Sequence, residues 1–385
     1  MHVLILGARA PACLEWARAF RVAEWEVTVA DSLAWPLTRS SSAVDRYLRV
    51  PEPRGDTTAW LNALEQFVTE HDVDLIIPTC EEVFYLAHGL PTLARRCRVF
   101  VSEIAVMHRL HHKFLFSELA AALPINAPET VLLETADSLQ CMAAESRDWV
   151  FKPAYSRFAN RTLIRPSARS LCKINPSPEF PWVAQRFVHG REYCTFSLLE
   201  KGKLRAHACY HPAYRVGAGA GIYFEPVDSA PIRNFLEQFG EATSYTGQVG
   251  FDFIKSPAGQ YLVLECNPRA TSGIHLFDNQ AQALVDALVD ENAGPLLTPA
   301  ATPRMVAFAM LLFAAPRRVL SSEFWRDYAH ARDVISRAGD RGPLRGQLLA
   351  LLEIGGRAIS RRRGLLAAST VDIEWDGQSL DNESS

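Results

Sequence analysis

Two apolar runs near residue 260 constrain this chain more than any other stretch. Gly250-Phe251-Asp252-Phe253-Ile254 and Tyr261-Leu262-Val263-Leu264 are separated by Ser256-Pro257-Ala258-Gly259. Short apolar runs on either side of a Pro/Gly turn predict a buried hairpin. The second run continues as Glu265-Cys266-Asn267-Pro268-Arg269, which delivers a carboxylate, a carboxamide and a guanidinium in five residues. Side chains at i and i+2 of a strand share a face. Glu265 and Asn267 therefore point one way, while Cys266 points the other way, into the core. Asp252 adds a second carboxylate from the partner strand. Two acids and a carboxamide are hard oxygen ligands of the kind Mg²⁺ accepts while it also holds substrate phosphates. Taken alone, the stretch also reads as a plain hairpin with chance polar residues.

Upstream, His2-Val3-Leu4-Ile5-Leu6, Glu26-Val27-Thr28-Val29-Ala30-Asp31 and Val73-Asp74-Leu75-Ile76-Ile77-Pro78 read as strands, and Leu14–Phe20 has a helical pattern. Alternating strands and helices imply an α/β fold with a doubly wound parallel sheet. Only Gly7 follows the first strand, so the G-x-G-x-x-G dinucleotide pattern is absent. Ligands of such sheets bind at the carboxyl ends of the strands. Arg9, Glu81 and Glu82 are therefore candidates for substrate contact, or else a helix-starting turn and an acidic first helical turn.

Composition narrows the class. The 385 residues are 48% apolar and 22% charged, and the formal net charge is −3. No global charge excess favours nucleic acid or an anionic surface. The eight cysteines form no C-x-x-C pair, so zinc is not indicated and a reducing compartment is. No signal-peptide pattern opens the sequence, and the longest apolar run, Met305 to Ala315, is too short to span a bilayer. A soluble cytoplasmic protein without a membrane span is the expectation.

The chemistry lies in the middle of the chain. His108-Arg109-Leu110-His111-His112-Lys113 is expected to start a helix running to Leu123. Its histidines lack the H-E-x-x-H glutamate and read better as a solvated helix start than as metal ligands. Trp149-Val150-Phe151-Lys152-Pro153 is a short strand whose lysine must snorkel or meet an anion. Pro181 to Val188 forms another strand, with a turn at Gly190 and a new strand opening at Glu192.

Lys113, Phe-Lys-Pro at Lys152, the hinge Gln185-Arg186-Phe187-Val188-His189-Gly190-Arg191-Glu192, and Asp252 with Glu265-Cys266-Asn267-Pro268-Arg269 follow one another in that order. In this order and spacing the chain resembles the ATP-grasp superfamily, in the branch of carbamoyl-phosphate-synthetase-like and biotin-carboxylase-like ligases. The resemblance covers Lys113 to about Asp290. It implies a pre-ATP-grasp Rossmann-like domain over 1–105 and an ATP-grasp α+β two-subdomain fold over 106–290, with a mobile lid subdomain near 125–185. A mostly helical C-terminal extension with a polar tail follows over 291–385.

By the same resemblance, Lys113 and Lys152 contact nucleotide phosphates. Gln185, with the backbone of Phe187 and Val188, holds adenine, and Glu192 holds the ribose. Asp252, Glu265 and Asn267 bind one or two Mg²⁺ ions, with Mn²⁺ as a substitute. Arg269 faces the transferring phosphate. The implied activity joins a small carboxylate, such as an amino acid, to an amine through an acyl phosphate, with ATP going to ADP and phosphate. Activation of bicarbonate and a nucleotide-binding module without turnover are the alternatives, and a homodimer is a family-level expectation. One departure stands out: Pro153 to Thr162 contains no glycine where the family closes a glycine-rich loop over the phosphates. Arg157 or Arg161 is then the expected replacement contact.

Tyr210 to Arg215 leads into the alternating glycines Gly217-Ala218-Gly219-Ala220-Gly221, which read as a mobile loop beside the site and a candidate lid, and Arg215 either binds the substrate carboxylate or is a plain surface arginine. Thr271-Ser272-Gly273 is a candidate wall of the acceptor pocket. Beyond Asp290, Glu323–Arg337 and Leu344–Ile359 have helical periodicity, with Arg361-Arg362-Arg363 after them. These helices are expected to pack their apolar faces on the grasp domain; a basic amphipathic surface helix is the other reading. Val371 to Trp375 is a final strand or docking segment, and Gln378 to Ser385 a disordered polar tail.

Overall fold

A computed structural model describes residues 1–156, 161–216, 219–290 and 294–380. Five strands form the first sheet: β1 (His2–Leu6), β2 (Glu26–Asp31), β3 (Arg46–Arg49), β4 (Leu75–Ile77) and β5 (Arg98–Val99). They pair in parallel in the order β3-β2-β1-β4-β5. Parallel pairing needs crossover helices, which cover both faces. Pro11–Val22 is one such helix, and Thr57–Glu70 and Glu82–Leu93 are two more. The central strands are accordingly buried throughout. Strand order reverses on either side of β1, which puts a crevice at the carboxyl ends of β1 and β4. Gly7 makes the turn there: its φ is +77°, and an added Cβ would stand 2.6 Å from Thr79 Oγ1.

Two antiparallel sheets follow. The smaller contains β6 (Thr130–Leu133), β7 (Trp149–Pro153), β8 (Leu163–Ile164) and β9 (Trp182–Arg186), in the order β6-β9-β7-β8. The larger is built on β10 (Arg191–Glu200), β11 (Lys203–Arg215), β12 (Gly221–Val227), β13 (Gly247–Lys255) and β14 (Tyr261–Asn267). Two short strands, β15 (Arg304–Met305) and β16 (Arg332–Asp333), extend it past β12. The hairpin read from the sequence is β13–β14. Asp252 lies opposite Glu265, and a bulge follows at Phe253.

The expected helix through His108 to Leu123 is instead two helices, Ile104–His111 and Lys113–Ala120, broken at His112. His112 is extended (φ −71°, ψ 110°), and its ring nitrogen accepts a hydrogen bond from the Leu115 amide, capping the second helix. Nor are the histidines a solvated helix start, and His108 is half-buried. His111 and His112 are buried, and His111 stacks on Trp375.

The C-terminal helices also differ from expectation. Glu323–Arg337 is helical only over Ser322–His330, because Asp333 then accepts hydrogen bonds from the Ala307 and Ser336 amides and turns the chain into β16. Gly342–Ser360 packs against Leu37–Ser40 beside the first sheet, not on the antiparallel sheets, and does so through Pro343, Gly346 and Ala350 while its leucines face outward. Glu353 anchors it by accepting from the Ala34 and Trp35 amides. Val371 to Trp375 forms no strand and is a docking segment with Asp372, Ile373 and Trp375 buried. The polar tail beyond Leu380 lies outside the described residues. No helix among those described is long and apolar enough to cross a membrane. All eight cysteines are free thiols.

Candidate functional site

A cavity of ≈ 210 Å³ lies between the two antiparallel sheets. Lys152 reaches it from β7, Gln185 from β9, Glu192 from β10, Asp252 from β13 and Glu265 from β14; Phe187 and Val188 line it just after β9. Pleating explains the convergence, since each strand sends alternate side chains into the space between the sheets.

Around Glu265, which lines the cavity, Lys113 Nζ and Lys152 Nζ each stand 3.7 Å from Oε2. Both lysines are buried. Neither makes its short bond to the carboxylate: Lys113 donates to the Ser156 carbonyl at 2.9 Å, and Lys152 to Gln185 Oε1 at 3.0 Å. Burial pushes the Lys113 ammonium below its usual range, with Glu265 only partly countering. Burial would likewise raise Glu265, but Lys113 and Lys152 together outweigh it and hold the carboxyl low. Asp252 is pushed up to about 6 by burial and by Glu265 across the hairpin. Asn267 Nδ2 lies 3.4 Å from Asp252 Oδ2, and Asn267 Oδ1 accepts from Arg269 Nη2 at 3.0 Å. Arg269 Nε stands 3.8 Å from Glu81 Oε1.

Two facing carboxylates, one of which raises the other's proton affinity, with a carboxamide beside them, fit a divalent cation. No cluster of three or more His, Cys, Asp or Glu side chains with metal-holding geometry occurs among the described residues. A cation here would therefore draw on Asn267 and on phosphate oxygens as well, as Mg²⁺ does and a self-contained protein cage does not.

Other expected residues are placed differently. Gln185 is fully engaged, donating to Thr130 Oγ1 and the Leu264 carbonyl while accepting from Lys152, so its visible work is to aim that lysine. The Phe187 amide donates to the Asp148 carbonyl. Glu192 pairs with Arg215, which also donates to the Gly219 carbonyl. Thr271 donates to the Thr195 carbonyl and packs under Gly250, outside the lining of this cavity. Arg157 lies outside the described residues; Arg161 sits over the Trp182 ring.

At the crevice of the first sheet, Arg9 does not await a substrate. It bonds Asp31 and, through both terminal nitrogens, Asp372 of the C-terminal segment. Glu82 Oε1 accepts from the Thr79 and Cys80 amides and so holds the turn that leads into its helix. Sequence reasoning had no signal for this arrangement, because Arg9 and Asp372 are 363 residues apart.

A second cavity of ≈ 260 Å³ shares Ser156 with the first. Glu81, His111, Tyr155 and Trp375 line it, together with Arg54 and Arg363. Trp375 comes from the docked C-terminal segment, a contribution the sequence did not announce.

No protein-family model matches the sequence, and no curated protein does. Solved structures do match in shape. N5-carboxyaminoimidazole synthetase from Staphylococcus aureus, complexed with ADP, superposes with a TM-score of 0.61 at 12% identity, covering 92% of this chain and 97% of that one. L-amino acid ligase from Bacillus licheniformis gives 0.58 at 15% identity, with 75% of each chain covered. The biotin carboxylase domain of Hydrogenobacter thermophilus 2-oxoglutarate carboxylase, in complex with MgADP and bicarbonate, gives 0.58 at 12% identity, covering 75% of this chain and 70% of that one. The chain has the ATP-grasp fold. At these identities the ATP-grasp likeness settles the architecture: two antiparallel sheets that clasp a cavity, preceded by a parallel sheet. Its chemistry rests on the side chains.

Proposed function

We propose that this chain is an ATP-dependent carboxylate–amine ligase that forms an amide through an acyl phosphate. The observation carrying this reading is the convergence of Lys152, Asp252 and Glu265 in the lining of the inter-sheet cavity, with Lys113 beside Glu265, Asn267 beside Asp252 and Arg269 bonded to Asn267. Phosphoryl transfer needs positioning and charge neutralisation more than a protein nucleophile, and this set supplies both. The ADP and MgADP complexes of proteins similar in fold support the choice of nucleotide.

ATP enters the ≈ 210 Å³ cavity with its purine beside Phe187 and Val188 and its ribose toward Glu192. Lys113 and Lys152 meet the phosphates, exchanging weak contacts with Glu265 for short charge-assisted bonds. Mg²⁺ held by Asp252, Glu265 and Asn267 would neutralise the charge of the triphosphate. Arg269, steered by Asn267 Oδ1, faces the transferring group. A carboxylate oxygen attacks the γ-phosphorus and the bond to the ADP oxygen breaks, giving an acyl phosphate. The amine nitrogen then attacks the acyl carbon, loses a proton, and phosphate leaves with the carboxylate oxygen. Both acid and amine enter through the ≈ 260 Å³ cavity, where Arg363 and Arg54 can meet a carboxylate and Glu81 an ammonium.

The test is ADP formation from Mg-ATP across pools of amino acids and small carboxylic acids, with hydroxylamine as trap. A hydroxamate formed with one pool, and lost in Glu265→Ala, is the expected result. ADP without hydroxamate would point to bicarbonate as the acid. No ADP from any pool, with ATP still bound, would leave a binding module and overturn the proposal.

A further inference from the structure

Of the twenty large apolar side chains exposed among the described residues, fifteen lie beyond residue 300. The larger group, eight of the fifteen, is on the helix Gly342–Ser360 and the turn Leu365–Ala368 after it. The helix docks by a narrow side. An added Cβ at Gly342 would stand 1.8 Å from the Ser40 carbonyl oxygen, and one at Gly346 2.1 Å from Ser40 Oγ. That close approach leaves no room for leucines on the docked side. Leu344, Leu348, Leu352 and Ile359 are 43, 56, 73 and 82% exposed. At about 3.6 residues per turn they fall in one stripe opposite the buried Pro343, Gly346 and Ala350. A soluble surface rarely leaves such a stripe bare without a partner.

Charge indicates the partner. Arg341 to Val371 carries six arginines and a single acid, Glu353, in a chain whose net charge is −3. Glu353 is turned inward, onto the Ala34 and Trp35 amides and Arg357. Arg357 and Arg361 are held by Glu52. The side chains of Arg341, Arg345 and Arg362 make no ion pair among the described residues. Pairing this stripe with a second copy would bring arginine-flanked faces together with no acid to answer them. An apolar stripe edged by unpaired arginines is the chemistry of a helix lying in a membrane interface.

We propose that the helix Gly342–Ser360 and the turn after it seat this protein on an anionic bilayer surface. Leu344, Leu348, Leu352 and Ile359 enter the acyl boundary, with Leu365 and Leu366 beside them, and the free arginines meet headgroup phosphates. The surface stands on observations independent of the catalytic reading.

The test is co-sedimentation of the full chain with vesicles of phosphatidylcholine alone or mixed with phosphatidylglycerol. Binding is expected with the anionic mixture. Arg345→Glu/Arg362→Glu should weaken it at least about tenfold, at about 1 kcal/mol per juxtamembrane arginine. High salt should also weaken it, and Leu348→Glu/Leu352→Glu should abolish it; all variants should keep the wild-type melting temperature. Absence of binding to anionic vesicles, or equal binding by the leucine variant, would overturn the proposal. So would a concentration-dependent dimer in light scattering that the leucine variant dissolves, because the stripe would then belong to a second copy.

Discussion

Arg9 carries a buried charge and Glu265 a half-buried one, each facing charges of the opposite sign, but only Arg9 is fully partnered. Around Arg9, Nε and both terminal nitrogens bond Asp31, Asp372, Ser32 or the Ser369 carbonyl at 2.6 to 3.2 Å. Around Glu265, Lys113 and Lys152 wait at 3.7 Å, each occupied by another acceptor. A saturated ion cluster stitches distant segments together and has nothing left for a ligand. An open cluster holds charge in reserve and exchanges its loose contacts when a polyanion arrives. The contrast separates a site that ties the fold from one that can do chemistry, although both lie close to ends of strands.

Glu265→Ala attacks the open cluster and should cost about a thousandfold in ADP formation, the scale for losing a preorganised electrostatic group. Its denaturation midpoint should barely move, because the pairing it breaks is loose. Arg9→Ala attacks the closed one. It leaves Asp31 and Asp372 without their cation and should cost about 3–5 kcal/mol in urea unfolding. ATP affinity should stay close to wild type, which a role for Arg9 in substrate contact would not allow.

Acid should reach the closed cluster more gently. Burial would raise Asp372, but the hydrogen bonds from Arg9, reinforced by Ser32 and Arg357, hold it at about 2. A depressed carboxyl stabilises the fold above its unfolded value of about 3.9, and the stabilisation is lost as pH falls toward the folded value. Stability should therefore drop by on the order of 2 kcal/mol between about pH 4 and pH 2. Asp372→Asn should remove that part of the acid dependence in a pH series of urea melts. The smallest effect is expected from Gln185→Ala, which frees Lys152 from its guide and should raise the KM for ATP about tenfold, the worth of one hydrogen bond to a charged group. An unchanged KM would mean that β7 alone aims the lysine.

The open cluster was legible because its parts are local patterns. Asp252, Glu265 and Asn267 belong to one hairpin, and alternation on a strand fixes which side chains share a face. Lys152 stands out in an apolar strand for the same reason. The closed cluster was not legible, since nothing near Arg9 in sequence names a partner 363 residues away. Periodicity also left open which face of Gly342–Ser360 is buried. Its apolar stripe was the natural guess, but the glycine side won, because Gly342 and Gly346 let the helix backbone meet Ser40 where a leucine would collide. The three histidines misled for a related reason, since local spacing carries no word of the Trp375 ring that stacks on His111.

Calorimetric titration of Mg-ADP into the wild-type chain, Lys152→Ala and Asp372→Asn tests the distinction between the two clusters most directly. It needs no knowledge of the acid or the amine. Tight binding to the wild type, the same affinity in Asp372→Asn and at least about tenfold weaker binding in Lys152→Ala are expected. Undiminished binding in Lys152→Ala, with loss in Asp372→Asn, would contradict that distinction and move the nucleotide to the crevice of the N-terminal sheet.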